Sequence, residues 1–201
     1  MQQKPFSQAC DNNKTAIFEV LRDYLTEPAK LLEIGSGTGQ HGVFFAENLP
    51  QVQWQTSDLE ENHAGILAWM SDYTGQNLLA PFVLNVADER WSIEEYDAVF
   101  TANTAHIMSW PQVESMVRGV AECLSPSGVW IIYGPFNYDG QFTSDSNARF
   151  NDWLQAQAPY RAIRDFEALR DSANAEGLAL IEDRAMPANN RCLVFRKNDG
   201  L

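Results

Sequence analysis

The stretch "LLEIGSGTGQH", residues 31–41, places three glycines on alternate positions directly after a short apolar run. Residues 30–34 read as a buried strand, and residues 41–48 read as a helix ended by Leu49-Pro50. A strand that passes through a glycine turn into a helix is the opening unit of a parallel sheet covered by helices. The glycines permit a tight turn and let a ligand approach the backbone without Cβ interference. Amides at the start of the following helix can meet an anion such as a carboxylate.

The rest of the chain repeats that unit. Ile17, Val20, Leu21, Tyr24 and Leu25 recur at helical spacing within residues 12–26, behind Asp11 or Asn12 as caps. Strands are expected at 52–56, 82–86, 97–101 and 128–133, the last being the most apolar and therefore central. Helices are expected at 60–72 and from Pro111 to about Leu124, then at 148–157 and 161–176 after a polar loop over 134–147. Two closing strands, 178–183 and 192–196, are joined by too short a link for a helical crossover, so they should pair antiparallel. The expectation is one α/β domain over residues 1–201, a sandwich with one reversed strand, in which residues 1–11 form a flexible lid.

At 201 residues the chain suits one well-packed domain, and its 45% hydrophobic content is ordinary for a soluble protein. No apolar run reaches the roughly 18 residues needed to span a bilayer, and the polar start MQQKPFSQACDNNK lacks the apolar stretch of a secretory signal. Cys10, Cys123 and Cys192 are scattered and odd in number, suggesting neither a disulfide framework nor a metal site. A cytoplasmic location is expected. The net charge of −13, from 14 basic and 27 acidic side chains, disfavours a nucleic-acid partner, because phosphate-backbone binding draws its affinity from Lys and Arg.

The glycine turn excludes two ligands by its details. A phosphate-cradling P-loop needs a Lys-Ser/Thr pair after its final glycine, where this chain has Gln40 and His41. The dinucleotide fingerprint needs a glycine where Gln40 stands, which disfavours a dinucleotide-dependent oxidoreductase. Asp58, at the expected end of the second strand, is placed to accept hydrogen bonds from ribose hydroxyls. Glu33 sits just before the turn, and two carboxylates favour a cationic nucleoside over a pyrophosphate. S-adenosylmethionine combines a sulfonium, an adenosine and an amino-acid carboxylate.

On these residues the chain resembles the class I S-adenosylmethionine-dependent methyltransferases over residues 12–197. Residues 31–41 look like their first motif, and Asp58 like the acid that ends their second strand. Asn85, in "FVLNVAD", stands where an acidic side chain often meets the adenine amine, and its carbonyl can accept from that amine. "TANTAHIMSW" (101–110), "YGPFNYDGQFTSDSNARFNDWL" (133–154) and "QACDNNK" (8–14) carry a narrower resemblance. Together with the glycine motif they are similar to the methyltransferase-like family catalogued as domain of unknown function nine-three-eight. The resemblance implies a Rossmann-like, doubly wound sandwich with a seven-stranded, mostly parallel sheet and an antiparallel C-terminal hairpin. It implies S-adenosylmethionine as cofactor and brings no established substrate.

The resemblance assigns Glu33, Gly35, Ser36, Gly37, Gly39, His41, Asp58, Leu59, Asn85, Val86 and Asn103 to the cofactor. His41 can instead cap its helix, and His63 reads as a surface residue without a role. Asn13, Lys14, Tyr133, Phe136 and Asn137 are expected on the acceptor side, with Asn12, Asn13 and Lys14 in a lid. His106 is the candidate base because its ordinary pKa lies near neutrality, or else it only steadies the loop or stacks on the adenosine. Asn103 orients the acceptor or satisfies loop amides. "ANTAH" lacks the two prolines of the clamp used to methylate adenine or glutamine amino groups, and no Pro-Cys pair exists for cytosine carbon methylation. No ligand spacing points to a metal. The sequence therefore favours a methyltransferase for a small molecule, with a cofactor-binding protein that transfers no methyl group as the other reading.

Overall fold

The strands follow the period of two that a sheet covered on both faces demands. In the computed structural model, which describes residues 4–91 and 93–199, the chain begins α1 (Gln8–Tyr24), β1 (Ala29–Ile34), α2 (Gln40–Asn48) and β2 (Val52–Asp58). It continues through α3 (His63–Met70), β3 (Leu78–Val83), β4 (Tyr96–Ala102), α4 (Trp110–Cys123) and β5 (Leu124–Gly134). β6 (Phe136–Asn137), α5 (Asp145–Gln157), β7 (Arg164–Asp165), α6 (Phe166–Ala175), β8 (Leu178–Met186) and β9 (Asn190–Lys197) complete it.

Seven strands form one sheet in the order β3-β2-β1-β4-β5-β9-β8. β9 runs antiparallel to both of its neighbours, and the other pairings are parallel. Leu31, Phe100, Ile131 and Val194 face a layer built from Ile17, Val20 and Leu21 of α1 and Phe45 of α2. Their neighbours Leu32, Val99, Ile132 and Leu193 face the opposite layer, where Val113, Val117 and Val120 of α4 meet Leu169 of α6. β1 lies between β2 and β4, so consecutive connections leave it in opposite directions. That switch point opens a crevice beyond the carboxyl ends of β1 and β4, where ligands of such sheets bind.

Several boundaries differ from the sequence expectation. α1 starts at Gln8 rather than at residue 12, because Ser7 caps it and accepts from the Cys10 N–H at 3.3 Å. The third strand covers Leu78–Val83 rather than 82–86. The span expected as one helix from 161 instead pairs Arg164 and Asp165 with Phe136 and Asn137 in a small parallel ladder before α6 begins. β4, not β5, is the middle strand of the seven. Among the described residues, no helix is long and apolar enough to cross a membrane.

At the crevice the hydroxyl of Thr101, fully buried at the end of β4, donates to the Ile34 carbonyl of β1 at 2.9 Å and lies 2.5 Å from the Thr104 hydroxyl. Replacing it with an isosteric valine leaves buried polar groups unpaired. Thr101→Val is expected to lower unfolding free energy by about 1–3 kcal/mol, read as a shift of the urea midpoint at constant slope. An unchanged midpoint would show that this link does not hold β1 and β4 together.

Candidate functional site

The glycine turn is tied to the end of β2. The N–H groups of Gly35 and Ser36 both donate to the Ser57 carbonyl at 3.0 Å, and the Gly37 N–H donates to Oδ2 of Asp58 at 2.7 Å. Gly35, Gly37 and Gly39 all have positive φ, the last as the left-handed residue that starts α2. A Cβ on Gly35 would stand 2.6 Å from Cγ2 of Thr104, and one on Gly39 would stand 2.9 Å from the backbone of Ile66. A Cβ on Gly37 would meet only the Gly35 carbonyl oxygen, at 4.0 Å. The first and last glycines thus serve close packing, while Gly37 leaves its backbone open to the crevice.

Above the turn lies a cavity of about 560 Å³ lined by Gly35, Ser36, Gly37, His41, Asp58, Leu59, Asn85, Val86, Asn103 and His106, among others. These are most of the residues expected on the cofactor. Asp58 is 8% exposed. Besides Gly37 it accepts from the Leu59 N–H at 2.7 Å and from the Asn62 amide at 2.8 Å. A carboxylate offers roughly four acceptor directions, so one remains for a ligand hydroxyl. Asn85 lines the same cavity, with its carbonyl accepting from the Ala87 N–H at 3.0 Å in an Asx turn. One lone pair on that carbonyl is left over.

Two expected cofactor residues lie off the cavity wall. Glu33 is 2% exposed and turned beneath the turn, where Oε2 accepts from Ser36 Oγ and from Trp54 Nε1, each at 2.9 Å. It braces the turn from below. Burial raises its pKa to about 7, a rise reinforced by the Asp58 charge and opposed by its two donors. Gly39 likewise packs against α3 instead of the cavity.

His41 is buried, stacks on Phe45, and sits with Nε2 2.7 Å from the Asn13 Oδ1. His106 is 6% exposed, meets Phe150 edge-on at 5.2 Å, and has no side-chain hydrogen bond among the described residues. Burial lowers both imidazoles to about 4, and for His106 the nearby Arg164 and Arg161 charges add to the effect. Both rings are therefore neutral near pH 7. His63 instead contacts the Asp58 carbonyl at 3.1 Å.

A second cavity of about 420 Å³ shares Ala9, Asn103 and Phe150 with the first. Asn13 and Tyr133, expected on the acceptor side, line it. The other three do not. Phe136 is 1% exposed within the core layer beside α4, because the β6–β7 ladder turns it inward. Asn137 faces a different groove with Asn151 and Arg164. Lys14 pairs with Asp11 and lies over the Phe44 ring on the outer side of α1.

Sequence reasoning missed Phe150, Tyr160 and Arg161 on the first cavity and Asn147 and Asn190 on the second. Among the described residues, Arg161 and Asp58 are the only charged side chains on the first cavity's wall, and Arg161 Nε is buried without a partner. Gln40 also acquires a role: its amide accepts from the Ser7 N–H at 2.5 Å and donates to the Ser7 carbonyl at 3.3 Å. This clamp holds the start of α1 against the cavity, with Trp69 Nε1 donating to the Pro5 carbonyl at 2.5 Å. Of the segment expected as a lid, residues 1–3 lie outside the described residues. Among the described residues no group of three or more His, Cys, Asp or Glu side chains is arranged to hold a metal ion.

The fold is that of the S-adenosylmethionine-dependent methyltransferases. It matches an O-methyltransferase family protein from Burkholderia thailandensis with a TM-score of 0.78 at 17% identity, over 96% of this chain and 60% of that one. It matches human N-acetylserotonin methyltransferase, solved with S-adenosylmethionine, with a TM-score of 0.80 at 11% identity over 95% and 53% of the two chains. An O-methyltransferase family 2 protein from Planctomyces limnophilus, in complex with apigenin, matches with a TM-score of 0.75 at 12% identity over 92% and 62%. The chain thus spans only 53% to 62% of the length of these proteins. It belongs to the family described as "Protein of unknown function (DUF938)", which matches over residues 4–197.

Glu33 gives this site a pH signature. Its folded-state pKa is about 7 against an ordinary 4.5, so between those values the folded protein binds more protons than the unfolded chain. The associated stability is present below pH 4.5 and lost as pH rises through 7. His41 and His106 act in the acid range: their contribution is present above 6.5 and lost as pH falls through 4. Glu33→Gln should remove the first slope. Between pH 5 and 8 the variant is expected to gain up to about 3 kcal/mol relative to the parent, measured by denaturant unfolding. Parallel pH curves for the two proteins would contradict a Glu33 that titrates near neutrality.

Proposed function

We propose that this chain is one S-adenosylmethionine-dependent methyltransferase domain acting on a small molecule. The observation that carries the reading is the junction at Asn103, where a cavity floored by the glycine turn and Asp58 meets a second, separate chamber. The first cavity fits the cofactor: Gly37 leaves its backbone uncovered, and Asp58 keeps one acceptor direction for a ribose hydroxyl. Leu59, Asn85 and Val86 would flank the base. Bound there, the cofactor would supply a methyl group activated by its positive sulfur.

The chain's own part is alignment, exclusion of water and handling of one proton. Asn103 lies on the shared wall in a left-handed conformation, φ 59°, anchored through its N–H to the Tyr133 carbonyl at 2.9 Å. Its amide can orient an incoming nucleophile. His106 keeps a neutral imidazole with an uncommitted ring nitrogen that can take the proton.

One observation favours the second reading, a cofactor-binding protein without methyl transfer. An imidazole held near pKa 4 is a weak proton acceptor. The two readings part in one experiment. Calorimetry should give binding of S-adenosylmethionine and S-adenosylhomocysteine but not of NAD, and Asp58→Ala should weaken it by about tenfold or more. Methyl-labelled cofactor incubated with a metabolite extract should label an acceptor, and His106→Ala should slow the labelling by about a hundredfold. No heat with either sulfur nucleoside would sink the cofactor assignment. Binding without label transfer would leave the second reading.

A further inference from the structure

The geometry points to the 420 Å³ chamber as the site of an uncharged polar acceptor, gripped between a wall of hydrogen-bond donors and a wall of hydrogen-bond acceptors. This inference rests on the methyltransferase reading and names the class of its acceptor.

None of the twelve residues lining the chamber carries a formal charge, in a protein of net charge −13. Five of the twelve are asparagines: Asn12 and Asn13 from α1, Asn103 after β4, Asn147 from α5 and Asn190 at the start of β9. A charged group brought in from water would lose its hydration and find no counter-charge, which costs several kcal/mol. A neutral polar group finds amides suited to it.

The amides are not interchangeable, because their partners fix how each one points. On the α1 side the carbonyls are already occupied. The Gln8 amide donates to Oδ1 of Asn12 at 2.9 Å, and His41 Nε2 sits 2.7 Å from Oδ1 of Asn13. Tyr133 lines the chamber beside them, so its O–H and the Asn12 N–H groups are the donors left to point at a ligand. Burial raises the Tyr133 pKa to about 12, so that hydroxyl remains a donor.

On the opposite side the N–H groups are the ones already occupied. Asn147 donates to Thr143 Oγ1 at 2.9 Å and to the Asn189 carbonyl at 3.2 Å, while Asn190 donates to the carbonyls of Pro187 and Ala188 at 3.2 and 3.4 Å. Their side-chain carbonyls have no partner among the described residues. The turn carrying this wall holds Ala188 and Asn189 both at φ 57°. A left-handed alanine costs about 1–2 kcal/mol and persists only where its surroundings fix it. The complementary molecule therefore presents an acceptor such as a carbonyl or ether toward α1. Toward the β8–β9 turn it presents a donor such as a hydroxyl or amide N–H, and it carries no charge.

The test uses a metabolite extract separated by ion exchange into cationic, anionic and uncharged fractions. Each fraction is added to the protein saturated with S-adenosylhomocysteine, and separately to protein with methyl-labelled S-adenosylmethionine. The uncharged fraction should raise the Tm and take the label. Asn12→Asp turns a donor into a carboxylate in the second turn of α1, where the side chain already accepts from the Gln8 amide. It should cut both responses to the uncharged fraction by about tenfold or more. Asn190→Ala should reduce them as well.

A Tm shift or label confined to a charged fraction overturns the inference and leaves the methyltransferase reading standing. So does an uncharged response that neither variant changes. If S-adenosylhomocysteine itself fails to raise the Tm, the methyltransferase reading falls and the inference with it. If it does raise the Tm and no fraction responds, the inference is overturned.

Discussion

The ties between the glycine turn and the end of β2 carry the site. A turn that buries its backbone must find partners for every N–H it withdraws from water. Here Gly35 and Ser36 share the Ser57 carbonyl and Gly37 takes Asp58, while the Ser57 hydroxyl donates back to the Glu33 carbonyl at 2.7 Å. The carboxylate that shapes the turn is thus the one that faces the cavity. Shape and ligand chemistry are set by the same group, so the cavity is formed before anything enters it. Glu33, bracing from beneath, makes that arrangement sensitive to protons even though it touches no ligand space.

Much of this was legible because it is local. Alternating glycines after an apolar run and an acid at the next strand end are short-range signals, and the cavity gathers Gly35, Gly37 and Asp58 as they implied. The misplaced elements share a cause in long-range packing. Residues 82–86 are apolar except for Asn85, yet Leu84 and Val86 line the cavity and do not extend β3. Pro81 lies within β3, an edge strand where a missing N–H costs little. Phe136 looked like cavity wall until the ladder with Arg164 turned it into the core. No spacing rule connects Asn12, Asn103, Asn147 and Asn190, which meet only because two helices, the loop after β4 and the start of β9 converge at one end of the sheet's strands.

Backbone strain is concentrated at that end of the strands. Of the five non-glycine residues with positive φ among the described residues, Asn103, Ala188 and Asn189 flank the smaller chamber. Asparagine tolerates this conformation because its short side chain can bond locally; alanine has no such compensation. The hydrogen bonds from Asn147 and Asn190 to the turn's carbonyls are what hold Ala188 in place. The same bonds orient the two side-chain carbonyls toward the chamber, so removing either amide loosens the backbone and the recognition surface together.

The net charge of −13 acts at a different range. Only Asp58 among the acidic residues lines the larger cavity, and none lines the smaller, so the acidity lies outside both. Its effect is a field that draws in cations and is screened beyond roughly 8–10 Å at ordinary salt. S-adenosylmethionine carries a net charge of about +1 near neutral pH, from its sulfonium, ammonium and carboxylate, whereas its demethylated product is a neutral zwitterion. For the cofactor proposed here, such a field speeds the approach of the charged form and gives no matching hold on the product. An uncharged acceptor passes through the same field unaffected. Under the proposed reading the acidic surface and the neutral chamber would act together: one would favour the methyl donor by charge at a distance, and the other its partner by hydrogen bonding at contact.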